Sequence, residues 1–188
     1  YHAGNLVLSA AGNLDHKTVV DLAAVMFASM KPGAKRQRLL TIPDYASGLF
    51  AAKRDTEQAH LVYGVPWFGV GDPRRYTASV LTTLLGGSMS SRLFQEVREK
   101  RGLAYSIYAT QGSYQGAGQW CVYAGTRPSN LADVVSLVSQ ELMTIATVAV
   151  SADELSHTVD FICGQLLLGL ETTNSHCLLY TSDAADEA

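Results

Sequence analysis

The stretch 86–126, GGSMSSRLFQEVREKRGLAYSIYATQGSYQGAGQWCVYAGT, constrains the fold of this chain most tightly. Leu93, Phe94 and Val97 form the apolar side of an amphipathic helix that closes on Val97-Arg98-Glu99-Lys100-Arg101. Gly102-Leu103 offers a turn, and Tyr105 then opens a period-two strand over about 104–114. A second strand over about 119–125 follows Gln115-Gly116-Ala117-Gly118, so the two read as a β-hairpin. Arg98 and Tyr105 therefore sit on either side of one helix-to-strand joint and can face one pocket. The sheet edge beside them suits an extended peptide backbone, bound by strand addition.

The flanking sequence supplies the layer against which this hairpin packs. Positions 59–65 alternate as a strand, and Thr77, Val80, Leu81, Leu84 and Leu85 recur at the spacing of a helix lying on a sheet. Gly86-Gly87 ends that helix. On the next helix, Arg92, Glu96 and Lys100 read as surface ion pairs worth a few tenths of a kcal/mol each, roughly. Pro128 suits the first turn of a further helix with the stripe Leu131, Val134, Val135, Val138, Leu142 and Ile145. Ser151 and Glu154 have capping-box spacing, opening a last helix through Leu155, Val159, Ile162, Leu166 and Leu170. This order predicts an α+β fold: a two-layer sandwich of a largely antiparallel sheet with helices packed on one face.

The first thirty residues read separately. Positions 6–10 form an apolar run expected to be a buried strand, and Asp15 is placed to N-cap a helix with the stripe Val19, Leu22, Ala23 and Met26. Between Lys31 and Arg54 the periodicity fades. Pro32-Gly33, Lys35-Arg36, Pro43 and Gly48 interrupt it, which predicts a linker with one short edge strand before a second domain begins near Asp55.

Composition narrows the function classes. With 188 residues, 47% of them hydrophobic and 16% charged, the chain suits one globular core. A net charge of −3 and no lysine and arginine block argue against nucleic acid or an anionic membrane as partner, and no apolar run approaches the length of a membrane span. Cys121 and Cys163 lie in apolar patterns as small hydrophobes. From Cys177 onward, CLLYTSDAADEA resembles the in-frame translation of a transposon-derived sequencing adapter (codons TGT CTC TTA TAC ACA TCT), so natural sequence is expected to stop near His176; the alternative is a genuine acidic tail. His2, His16, His60, His157 and His176 stand singly, with no two at the i, i+4 spacing that aims both rings at one metal, so no metal ligand is assigned. Gly86-Gly87-Ser88-Met89-Ser90-Ser91 lacks the lysine and spacing of a phosphate cradle and reads as a helix cap and turn.

Several segments together resemble the C-terminal half-domain of the pitrilysin/insulinase class of zinc metallopeptidases, in the branch holding the mitochondrial processing peptidase and its bacterial relatives. They are Gly4-Asn5-Leu6-Val7-Leu8-Ser9-Ala10-Ala11-Gly12-Asn13, Asp55-Thr56-Glu57-Gln58-Ala59-His60-Leu61, and the run from Leu84 to Phe94. Glu171-Thr172-Thr173 ends the match, and the separation of Arg98 from Tyr105 is the one the family uses for a paired arginine and tyrosine. The resemblance implies that 1–30 closes an N-terminal metal-binding domain, 31–54 is the interdomain linker and 55–176 is most of the C-terminal, substrate-side domain. The zinc motif, an inverted His-x-x-Glu-His helix with a distal glutamate, would lie upstream of residue 1.

By the same resemblance Arg98 and Tyr105 would touch the scissile carbonyl and the oxyanion formed from it, as catalytic and substrate-binding residues. The parent would be a zinc metalloendopeptidase cleaving extended peptides or presequences, and this piece alone would be inactive. The alternative is a non-catalytic binding or assembly subunit of the same fold. Expected partners are a peptide substrate, the missing metal-binding domain and a second subunit in a homo- or heterodimer. The few cysteines suit a bacterial cytoplasm or the mitochondrial matrix.

Overall fold

Strand β3, Ala117–Thr126, forms the middle of the sheet, because Trp120, Val122 and Ala124 are buried on its inner face and both of its edges are paired. In this computed structural model, which describes residues 3–31, 33 and 44–186, β1 (Ala59–Trp67) and β2 (Ala104–Tyr114) flank β3 on either side. Both pairings are antiparallel, in the order β1-β3-β2. The hairpin is tighter than expected, since only Gln115 and Gly116 lie between the strands and Gly116 has φ +80°. Pro66 lies in β1, an edge strand among the described residues, where a missing amide donor is tolerated.

One face of the sheet is covered by helices. Helix α2, Arg75–Thr82, continues into a π-helical turn, Thr83–Gly87, and a second π-helical segment, Phe94–Glu99, leads to β2. Pro128 opens a 3-10 turn into α3, Leu131–Thr147, as its missing amide suggests. Leu85, Leu93, Val97, Ile107, Val122 and Val134 are the centre of the core, with Leu61, Val65 and Trp67 of β1 packed at its border. Gly86 has a steric reason, since a Cβ there would lie 2.3 Å from the Ala109 amide nitrogen. The α+β architecture, an antiparallel sheet with helices on one face, is thus as the sequence implies.

Polar groups inside this layer are paired. The Trp120 indole N–H donates to Thr82 Oγ1 at 3.1 Å, and that of Trp67 donates to Gln111 Oε1 at 3.1 Å. The Thr82 hydroxyl donates in turn to the Ala78 carbonyl at 2.7 Å. The buried stripe of α2 accordingly runs through Ala78 and Thr82 to Leu85, while Thr77 is exposed.

Helix α4 spans Ala152–Gly169 and α5 spans Thr173–Asp186. The described residues divide into two compact units, one drawn from Leu40–Ile162 and the other from Tyr1–Leu39 with Cys163–Ala188. In the latter, Asp15 caps α1 (His16–Met26) by accepting from the Thr18 amide at 2.9 Å, as its position implies. Positions 6–10 are not a strand: Leu6, Val7 and Leu8 are exposed, and no described strand pairs with them. A strand without a ladder leaves its amides unsatisfied, and here Ser9 instead donates its hydroxyl to the Cys177 carbonyl of α5 at 2.7 Å.

Three further expectations are corrected. The stripe of α4 is not buried, with Leu155, Val159, Leu166 and Leu170 all exposed, and α3 leaves Val135 exposed as well. Cys163 is exposed rather than core, and Cys121 is half-buried on the open face of the sheet; all three cysteines are free. Arg92 does not pair with Glu96 but with Glu154 of α4, through Nε at 2.6 Å and Nη2 at 2.7 Å. Residues 44–54 carry no helix or strand and are exposed, while Pro32, Lys35, Arg36 and Pro43, with the edge strand expected among them, lie outside the described residues.

Candidate functional site

The joint between Arg98 and Tyr105 is built by the backbone. The π-wound segment Phe94–Glu99 ends in two bonds, Leu103 N–H to the Val97 carbonyl at 2.9 Å and Gly102 N–H to the Arg98 carbonyl at 3.0 Å. Gly102 takes φ +59°, the left-handed conformation that reverses the chain after a helix. Asn130 Nδ2 and Thr126 Oγ1 both donate to the Leu103 carbonyl, at 3.4 and 2.5 Å, and so anchor the joint to the end of β3.

Tyr105 is then expelled from the ladder. Ala104 pairs with Thr126 and Ser106 with Gly125, so Tyr105 is the extra residue of a β-bulge. The bulge switches the strand's parity: Ala104 is buried before it, Ile107 and Ala109 after it. Tyr105 is 78% exposed, which rules out a core aromatic. Bulges re-aim side chains, and this one points the phenol into the space beside Arg98.

Arg98 Cζ lies 6.0 Å from the centroid of the Tyr105 ring and 4.7 Å from that of Phe94. Its contact with the adjacent Glu99 is long, 3.8 Å from Nε to Oε1, which leaves the guanidinium donors available. The pair shares a groove of about 560 Å³ whose walls include Gln58, Gly125, Arg127 and Asn130. Arg98 and Tyr105 thus face one groove, as their places around the joint allow, while its other walls were not expected from the sequence. Gly125, a glycine inside a strand pattern, was the available signal.

The charges of the helical segment before the joint are largely committed to one another. Glu96 is held below the usual carboxylate range, first by the hydrogen bond from Lys100 and then by that from Arg101. Glu154 is likewise lowered by its hydrogen bonds from Arg92, and the Arg92 guanidinium is raised by the same contact. A second cleft of about 280 Å³ lies beside that ion pair, lined by Ser88, Ser91, Glu154 and His157. The histidines remain apart: His60 Nδ1 meets the Tyr123 hydroxyl at 2.8 Å, and His176 lies against Tyr180. His2 lies outside the described residues. Among the described residues no three His, Cys, Asp or Glu side chains come together where a metal ion could be held, so these residues do not fit a zinc site.

A bulged hairpin, a helical layer on one sheet face and an exposed arginine and tyrosine over one groove make up this α+β unit. The chain belongs to the peptidase M16 inactive domain family, whose family model matches residues 1–160. It is 41% identical over 183 residues to an uncharacterized zinc protease of Streptomyces coelicolor, an alignment covering 93% of this chain and 40% of that protein. An uncharacterized zinc protease of Bacillus subtilis is 37% identical over 175 residues, with 93% and 42% covered. The chain therefore spans about 40% of the length of these relatives. Among solved structures, a peptidase M16 inactive domain from Pseudomonas fluorescens superposes with a TM-score of 0.70 at 24% identity, covering 87% of this chain and 40% of that one. A protease from Helicobacter pylori gives 0.70 at 18% identity, covering 92% and 43%. These structural likenesses bear on the fold alone.

Proposed function

We propose that this chain is the substrate-side half of a zinc metalloendopeptidase of the mitochondrial-processing-peptidase-like branch. On this reading Arg98 and Tyr105 bind the peptide across the cut bond and stabilise the oxyanion that develops there. The observation that carries it is the shared groove: two polar, exposed side chains converge on one space through a bulge and a left-handed glycine. The guanidinium offers several fixed N–H donors and the phenol one O–H donor, which suits a carbonyl oxygen gaining negative charge. Relatives named zinc proteases support the enzyme reading over a purely architectural one.

The zinc belongs, in this proposal, to a preceding half-domain, and residues 1–30, 31–54 and 55–176 are its closing elements, the linker and the substrate-side domain. Residues 177–188 are assigned to adapter sequence. The partners are an extended peptide, that metal-binding half and a second subunit, in a bacterial cytoplasm or the mitochondrial matrix. Among the described residues no single helix is long and apolar enough to cross a membrane. The test is peptide cleavage by the full-length protein with and without a chelator, beside the 188-residue chain alone. Chelator-sensitive cleavage is expected only from the former; stoichiometric zinc and cleavage from the chain alone would overturn the division of labour.

A further inference from the structure

Phe94 is an aromatic side chain that the core does not use. Its neighbours Leu93 and Val97 are fully buried at the centre of the core, whereas Phe94 is half-buried and is not among the side chains packed against that core. What its ring meets instead is Arg98 of the same helical segment, whose Cζ lies over the ring at 4.7 Å from its centroid. A helical side chain leans toward the N-terminus of its helix, so Arg98 reaches back over Phe94. The Tyr105 ring stands farther off, 6.0 Å from the same carbon, at the outer limit of such contacts.

Charge does not fix this guanidinium. Among the described residues its ion pair is the long 3.8 Å contact with the exposed Glu99, and the nearby Glu96 accepts from Lys100 and Arg101 instead. Stacking on a ring face holds an arginine in a way that a salt bridge does not. It engages the flat π surface and leaves the N–H donors, which lie in the guanidinium plane, free to reach a carbonyl oxygen. An unsupported arginine must lose side-chain freedom each time a peptide is gripped, and a ring that holds it beforehand removes part of that cost.

We propose that Phe94 is a positioning residue for Arg98: its ring holds the guanidinium beside the groove, so that the in-plane donors are already aimed at the peptide carbonyl when substrate arrives. Phe94 does not line the groove and acts only through Arg98. This rests on the peptidase reading above and adds to it the residue that orders its arginine.

The test is steady-state peptide cleavage by the zinc-loaded full-length protein, together with the Arg98 Nε–H resonance of isotope-labelled protein, assigned by its loss in Arg98→Ala. Phe94→Leu keeps an apolar side chain and removes the ring. It is expected to lower kcat/KM by about 5-fold or more and to move the Arg98 resonance out of the ring current. Phe94→Tyr, which keeps the ring, should stay within about 2-fold of the wild type. In an Arg98→Ala background Phe94→Leu should have no further effect, because the ring then has nothing to hold. A general loss of packing would lower activity by the same factor in both backgrounds. That result, an unmoved Arg98 resonance, or wild-type kcat/KM in Phe94→Leu would overturn the proposal while the peptidase reading stands. If the wild type cleaves nothing, or Arg98→Ala cleaves as well as the wild type, the reading of the site fails and this inference with it.

Discussion

Arg92 and Glu154, 62 positions apart, are joined by two parallel hydrogen bonds of 2.6 and 2.7 Å that tie the start of the Arg98-bearing helix to the start of α4. Glu154 also supplies the N3 amide of a half-formed capping box, its N–H donating to Ser151 Oγ at 3.2 Å. Its carboxylate, which would complete the box by reaching back to the cap, is spent on Arg92 instead. Both side chains are largely shielded, with 19% and 31% of their surface accessible, so the bidentate pair is stronger than an ordinary surface contact.

Glu154→Gln should therefore destabilise the protein by about 1.5 kcal/mol, measured by urea unfolding near neutral pH. The pH dependence has a definite sign. The folded-state pKa of Glu154 is lowered, so its contribution is present above the ordinary carboxylate value and is lost as pH falls through the lowered one. The wild type should lose stability relative to Glu154→Gln across that acidic window, and a difference independent of pH would contradict the assignment.

The buried relay beneath the sheet gives a second test. Trp120, 3% exposed, donates to Thr82 Oγ1, so Thr82→Val removes the acceptor and leaves a buried indole N–H unpaired. A cost of about 2 kcal/mol in unfolding free energy is expected. Thr82→Ser, which keeps the hydroxyl, should recover much of it; equal losses in both would point to methyl packing instead.

Gly102 separates backbone strain from sterics. Its φ is +59° and nothing lies within 4 Å of a Cβ built there, so Gly102→Ala should cost about 1 kcal/mol through conformation alone. Because this residue sets the angle between Arg98 and Tyr105, kcat of the full-length protein should fall further than that small loss of stability would suggest. An unchanged kcat would separate the turn from the site.

The core offers a calibration point away from the groove. Leu93 is fully buried among Leu85, Val97 and Val122, and Leu93→Ala should lower stability by about 3 kcal/mol in chemical denaturation.

Much of this fold was legible because the hairpin's glycines, the helix stripe through Leu81, Leu84 and Leu85, and Pro128 before α3 are local signals. The pairing of Arg92 was not, because its partner lies on another helix and helical spacing offered Glu96 as a nearer one. The run 6–10 has the composition of a strand, but a strand is defined by its ladder, which composition does not contain. At the site, the family resemblance singled out Arg98 and Tyr105, while the bulge stayed hidden. Its trace was the three-residue step from Ala104 to Ile107 between buried positions, where a regular strand would step by two.

The central claim is most directly tested by steady-state kinetics of the zinc-loaded, full-length protein with Tyr105→Phe and Arg98→Ala, neither of which removes a core contact. Each is expected to lower kcat by about 100-fold, the usual loss for one oxyanion donor, with the melting temperature unchanged. Wild-type kcat in both variants would contradict a role in transition-state stabilisation and leave the pair as surface residues of a binding domain.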